Sequence, residues 1–370
     1  NEFTARFPVA LYGTLSTLLV YFTGKKIVSR NYGIIASLIL ATSLEFIILA
    51  KFAILDIVVS TCVGFSVMFG FLTQFVQEKN KKYFWWLFYI FSGLAVMAKG
   101  IPGFVVPFGT MFFVSIANRK FKEIFKPQYF LVGFLLFFLI VIPWHLIMFK
   151  IHDPLFFHEY IIKHHLERFV NSNEIGRKQP FYFYFLTFLW GFFPWILSAI
   201  SVATALSIKH FKSFKMFNIN EFTNPQKFLL FNWIGLLVTF LFFSSSSTKL
   251  ITYILPVYFF SACIMGFVWH DYIEKDNFRK AVNISVYILS GICLFASFAA
   301  LFTPLFLPVG LYLDILPAKW LCIILLSIFG FASLIFTLKN KKWQVFFSYV
   351  IFMAALSAFG TKEFFNIDYK

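Results

Sequence analysis

The chain has 370 residues, 60% of them hydrophobic, 22% aromatic and only 13% charged, with a formal net charge of +16. A soluble domain carries roughly 25% charged and about 45–50% apolar residues, so this composition excludes a soluble fold and indicates a polytopic membrane protein. The 32 Lys and Arg residues fall mostly in short tracts between apolar segments, the pattern of loops that fix topology rather than of a nucleic-acid surface.

Apolar runs follow one another at 7–24, 32–50, 57–76, 84–98, 101–118, 128–149, 181–207, 228–244, 251–268, 281–306, 319–338 and 343–358. A helical span needs about 20 apolar residues, so the fold class is all-α, a transmembrane bundle of about twelve spans. The basic tracts are Lys25 to Arg30, Lys79 to Lys82, Arg119 to Lys126, Lys209 to Lys215, Lys275 to Lys280 and Lys339 to Lys342. All of them fall on one side if the spans alternate, which assigns that side to the cytoplasm and both ends of the chain to the outside. The join at Lys99-Gly100 and Pro102 predicts a tight hairpin on the outer side. Cys62, Cys263, Cys293 and Cys322 all lie in predicted spans, with no disulfide framework or zinc spacing. The 58 Phe residues suit packing and lipid contact and carry no chemistry.

The unusual polar residues collect on the outer side. Asp56 sits between Leu55 and Ile57 at the mouth of two spans, where a partly desolvated carboxylate serves as a base or a cation ligand. The plain alternative is a helix N-cap. Glu45 lies deeper on a similar face, as a partner for Lys51 or a packing element. The outer segment 150–180 is the longest, and five of the seven histidines fall between His145 and His165. Leu155, Ile162, Leu166 and Phe169 recur at helical spacing, which predicts an interfacial amphipathic helix presenting His158, His165 and Arg168. His158 and His165 are candidate ligands for a divalent metal, although their spacing matches no recognised zinc pattern. The Arg168 guanidinium suits bidentate phosphate binding, or a pair with Glu167 or Glu174 or with lipid headgroups. The run Ser244 to Lys249 reads as a turn or as an anion site, and Tyr253 follows Lys249 at a four-residue spacing.

Several blocks resemble the membrane-embedded C-type glycosyltransferases that use polyprenyl-phosphate sugars, in particular protein mannosyltransferases and the lipid A aminoarabinose transferase. Ala95-Val96-Met97-Ala98-Lys99-Gly100-Ile101-Pro102 is similar to the family's LTKGP block. Gln179-Pro180-Phe181-Tyr182-Phe183-Tyr184, with Gly191-Phe192-Phe193-Pro194-Trp195, is similar to its PFYYY and PW elements. Ser246 to Pro256 is similar to its SxxKLxTYxLP block, and Asn1 to Pro8 to the ExxxRLP block that opens its second span. Ala50 to Asp56 is similar to the block ending in its second essential aspartate. The order and spacing match along essentially the whole chain.

The resemblance implies one transmembrane glycosyltransferase domain over 1–370, lacking an upstream first span and first outer loop with another aspartate. A C-terminal outer domain found in some relatives is likewise not among these residues. It implies transfer of a sugar, with inversion, from a polyprenyl-phosphate donor to a glycolipid or protein hydroxyl. The partners are the donor, the acceptor and membrane lipids, with no nucleic acid, at the outer face of the cytoplasmic membrane. Asp56 would act as catalytic carboxylate, and Arg168, Lys249, Tyr253 and Lys99 would hold the donor. The competing class is a transporter or lipid flippase, which places ionisable groups near mid-membrane rather than at one face.

Overall fold

A computed structural model of the chain describes residues 2–152, 158–160, 179–210, 221–302 and 309–367. These residues form helices and no strand. In order they are α1 (Glu2–Ile27), α2 (Arg30–Ala41), α3 (Leu44–Leu49), α4 (Asp56–Leu72), α5 (Glu78–Lys99), α6 (Pro102–Ala117), α7 (Phe121–Ile124) and α8 (Pro127–His152). They continue as α9 (Phe183–Gly191), α10 (Trp195–His210), α11 (Asn224–Ser245), a 3₁₀ turn (Ile251–Ile254), α12 (Val257–Lys275), α13 (Arg279–Leu301), α14 (Val309–Leu338) and α15 (Lys342–Ile367).

Every apolar run of the sequence coincides with a helix or with a broken pair. The run 32–50 is divided between α2 and α3, and 181–207 between α9 and α10. The run 251–268 starts as the 3₁₀ turn before α12. Among the described residues, six helices are by themselves long and apolar enough to cross a bilayer; others are short or broken. This is a multi-pass helical membrane protein. Most of the segment assigned to an amphipathic helix, including Arg168 and His165, lies outside the described residues.

The chain divides into two compact units. One comprises Asn1–Ala41, Glu45–Gly191 and Met216–Phe267; the other comprises Thr42–Leu44, Phe192–Lys215 and Val268–Lys370. In the first, α4 packs against α1, α5 and α6, and α5 against α8. Hydroxyls tie the helices where lipid offers no competing water: Ser16 and Thr61 are 2.8 Å apart, Ser66 donates to the Phe88 carbonyl at 2.7 Å, and Tyr32 to the Cys263 carbonyl at 2.7 Å. Phenylalanines pack in this interior, where the Phe71 ring meets Phe228, Phe231 and Phe260.

The second unit has its own aromatic centre. Trp195 and Trp269, both fully buried, contact each other at 5.6 Å between ring centroids and share Phe346 and Tyr349. Serine pairs join its helices, Ser198 with Ser285 at 2.9 Å, Ser290 with Ser333 at 2.8 Å and Ser297 with Ser327 at 2.6 Å. Such small polar pairs let helices approach closely while satisfying each hydroxyl.

Candidate active site

The hairpin at Lys99-Gly100 and Pro102 forms as the sequence predicts. Lys99 ends α5, Gly100 takes φ 75°, a conformation open to glycine, and Pro102 starts α6 at a position where no N–H is needed. Ser92 of α5 donates to the Gly103 carbonyl of α6 at 2.8 Å, and a Cβ on Gly103 would lie 2.3 Å from the Ala95 carbonyl carbon. The two helices therefore meet backbone to backbone, which fixes the position of Lys99.

Asp56 stands in the first turn of α4, a favourable place for a carboxylate at the positive end of the helix. The cap position itself is Leu55 and no side chain caps it, so the N-cap alternative is not realised. The Asp56 carboxylate instead receives the Lys99 ammonium in a direct ion pair, with side-chain exposures of 15% and 26%. A pair of this kind fixes the direction of the carboxylate. The Lys99 nitrogen also lies 3.8 Å from the centre of the Tyr253 ring, in a cation–π contact. Asp56, Lys99 and Tyr253 border one small recess of about 10 Å³, room for about one water, with Ser60, Phe243 and Pro256 among its walls. Three separate stretches of sequence thus converge on one small polar opening between apolar helices.

Lys249 occupies a different position. Its side chain is buried, and its ammonium donates to the carbonyls of Gln179 (at 3.1 Å) and Ser246. Burial lowers the pKa of this amine. Lys249 therefore ties the residues that open the 179–184 block to the serine-rich turn, and the resemblance had assigned it to the donor. Nearby, the Ser244 and Thr248 hydroxyls are buried without a hydrogen-bond partner.

His158 is exposed, with Glu159 Oε1 3.9 Å away. Among the described residues no three His, Cys, Asp or Glu side chains converge as a metal requires. Arg168 and His165 lie outside the described residues.

Sequence reasoning did not find the partner of Glu45. Its carboxylate is buried and accepts a hydrogen bond from the Tyr258 hydroxyl at 2.6 Å, while Oε1 has no partner. Gly191 makes room for the pair, since a Cβ there would lie 2.1 Å from the Tyr258 hydroxyl and 2.5 Å from Glu45 Oε2. The glycine of the second resemblance block was the one available signal.

Residues 1–157 match the sequence profile of the dolichyl-phosphate-mannose-protein mannosyltransferases. The chain is 29% identical over 301 residues to an uncharacterized protein of Aquifex aeolicus, covering 81% of this chain and 54% of that protein. It is 27% identical over 347 residues to an undecaprenyl phosphate-alpha-4-amino-4-deoxy-L-arabinose arabinosyl transferase of Proteus mirabilis, covering 93% and 60% of the two chains. It spans between half and two thirds of the length of these two relatives. In fold it is similar to the crystal structure of ArnT from Cupriavidus metallidurans bound to undecaprenyl phosphate, with TM-score 0.71, 17% identity, and coverage of 97% of this chain and 62% of that one. The apo state of that protein gives TM-score 0.70. Sequence and fold together relate this chain to the membrane glycosyltransferases of the protein mannosyltransferase and aminoarabinose transferase family.

Proposed function

We propose that this chain is the membrane part of a glycosyltransferase that moves a sugar from a polyprenyl phosphate to a lipid A-like glycolipid or a protein hydroxyl. The reaction would take place at the outer face of the cytoplasmic membrane. The observation that carries the reading is the recess in which Asp56, Lys99 and Tyr253 meet, in a chain whose named relatives are transferases of this type.

In a single displacement the acceptor oxygen bonds to the anomeric carbon, the bond from that carbon to the phosphate oxygen breaks, and polyprenyl phosphate leaves as an anion. The anomeric centre inverts. With a hydroxyl acceptor the proton passes to the Asp56 carboxylate, a general-base contribution of roughly 10²–10⁴-fold. With a phosphate acceptor no base is needed, and Asp56 orients the donor sugar. Charge grows on the leaving phosphate, so cations near it stabilise the transition state. In this proposal Arg168 binds the phosphate directly. Lys99 serves chiefly to hold Asp56, Tyr253 lines the donor's path, and Lys249 shapes the adjoining turn. His158 and His165 remain candidate ligands for a divalent ion in the outer segment.

The test is full-length protein in liposomes with an undecaprenyl-phosphate-linked sugar and a glycolipid or peptide acceptor. Acceptor-dependent release of free polyprenyl phosphate is expected, and Asp56→Asn should reduce it at least about 10²-fold where the acceptor is a hydroxyl. Movement of the donor across the bilayer without cleavage would replace this reading with lipid transport.

A further inference from the structure

At the end of α6 and α11 remote from Asp56 lies a second, larger cleft of about 730 Å³. Ile116 and Ala117 from the last turn of α6, with Leu229 and Trp233 from α11, give it an apolar lining. Its polar groups are Arg119 and Gln226. Arg119 stands just beyond α6 with φ 55°, in the left-handed region, and its N–H closes on the Ile116 carbonyl at 3.0 Å.

Both polar groups present donors. The Gln226 amide oxygen is occupied, accepting from the Thr223 N–H at 2.9 Å and from the Thr223 hydroxyl at 3.0 Å, so the amide NH₂ is the group left to face outward. Arg119 pairs with no carboxylate among the described residues. Two other cations of the same basic end are neutralised: Lys81 lies 2.8 Å from Glu78 and 2.6 Å from Glu123, and Lys126 lies 2.9 Å from Glu78. A donor-only mouth above an apolar cleft, at the helix ends that carry the basic residues, selects an amphiphile with a negative head. Trp233, 45% exposed, offers the flat amphipathic surface that favours the boundary between headgroups and hydrocarbon.

We propose that this cleft seats one anionic phospholipid, with its phosphate on the Arg119 guanidinium and the Gln226 amide and an acyl chain along Trp233 and Leu229. The inference is independent of the transferase reading, because it uses none of the residues around Asp56.

The experiment is native mass spectrometry of the full-length, delipidated protein titrated with an equimolar mixture of phosphatidylglycerol and phosphatidylcholine of the same acyl chains. The first bound lipid should favour phosphatidylglycerol by roughly fivefold, the selectivity of one well-placed cation. Arg119→Gln, at an exposed position, should bring that ratio close to one, whereas Lys120→Gln, on the neighbouring residue, should leave it unchanged. Ala117→Phe fills the cleft with Arg119 intact and should reduce first-lipid occupancy for both headgroups. An unchanged ratio in Arg119→Gln overturns the proposal. Undiminished phosphatidylglycerol binding in Ala117→Phe also overturns it, since the lipid would then be held by surface charge and not seated in the cleft.

Discussion

The pair α6 and α11 has an opening at each end, and the two openings differ in how their cations are satisfied. At the Pro102 end, Lys99 is neutralised by Asp56 and covered by the Tyr253 ring, beside a recess of about 10 Å³. At the Ala117 end, Arg119 has no carboxylate partner among the described residues and opens on a cleft of about 730 Å³. The sixteen residues of α6 put about 24 Å between them. A cation already paired within the protein directs its partner, here a carboxylate available for chemistry. An unpaired one at the edge of an apolar cleft is directed outward, to whatever anion the membrane supplies. The same residue class therefore has a positioning role at one end and a binding role at the other.

The largest expected effect tests whether the ends are separate. Asp56→Asn should lower sugar transfer to a hydroxyl at least about 10²-fold, while Arg119→Gln should change lipid selectivity and leave turnover as it is. Equal losses of turnover in both variants, measured in the liposome assay, would show that the two openings act as one site. Next comes the ion pair itself. Lys99→Met leaves Asp56 half-buried without its cation and should cost roughly 1–3 kcal/mol in thermal or denaturant unfolding, together with activity. Lys99→Arg keeps the charge and should recover most of the stability. If Lys99→Met loses donor affinity alone, with stability unchanged, then Lys99 binds phosphate and does not hold Asp56.

Behind the recess, Tyr258→Phe removes the hydroxyl that donates to the buried Glu45 carboxylate and should destabilise by roughly 1–3 kcal/mol, whereas Glu45→Gln, with an amide in the same space, should cost less. Equal melting temperatures for Tyr258→Phe and the parent protein would show that Glu45 finds another donor.

How much of this is legible in the sequence follows from distance along the chain. The twelve apolar runs are local patterns, and each has its helix. The breaks after Ala41 and Gly191 are not legible, because the hydropathy is continuous through them and the breaks depend on packing. Asp56, Lys99 and Tyr253 stand out singly, as polar residues at the ends of apolar runs and through the family resemblance. Their convergence does not, since the Asp56–Lys99 pair joins residues 43 apart and Glu45 finds Tyr258 213 residues away. Lys51, the partner suggested for Glu45, was merely the nearest cation in sequence. Arg119 reads as one of several basic residues that fix topology, and only the fold separates it from Lys81 and Lys126, which have carboxylates to pair with.

The smallest effect concerns a third kind of cation, Lys249, which is held by the backbone carbonyls of Gln179 and Ser246. Burial lowers its pKa in the folded protein from the ordinary 10.5. Between that lowered value and 10.5 the unfolded chain binds more protons at this site than the folded one, so this group makes stability rise with pH across the interval. Below the interval it contributes no slope, only the constant cost of a buried charge. Lys249→Met should keep stability at pH 7 within about 1 kcal/mol, since an apolar side chain of similar length replaces an ammonium that is costly to bury. The same substitution should reduce the rise in melting temperature between pH 8.5 and 10.5, about the upper range in which a lysine of ordinary pKa titrates. An identical alkaline slope in the variant would mean that the Lys249 amine titrates alike in the folded and unfolded chain, and that the serine-rich turn does not shield it from water.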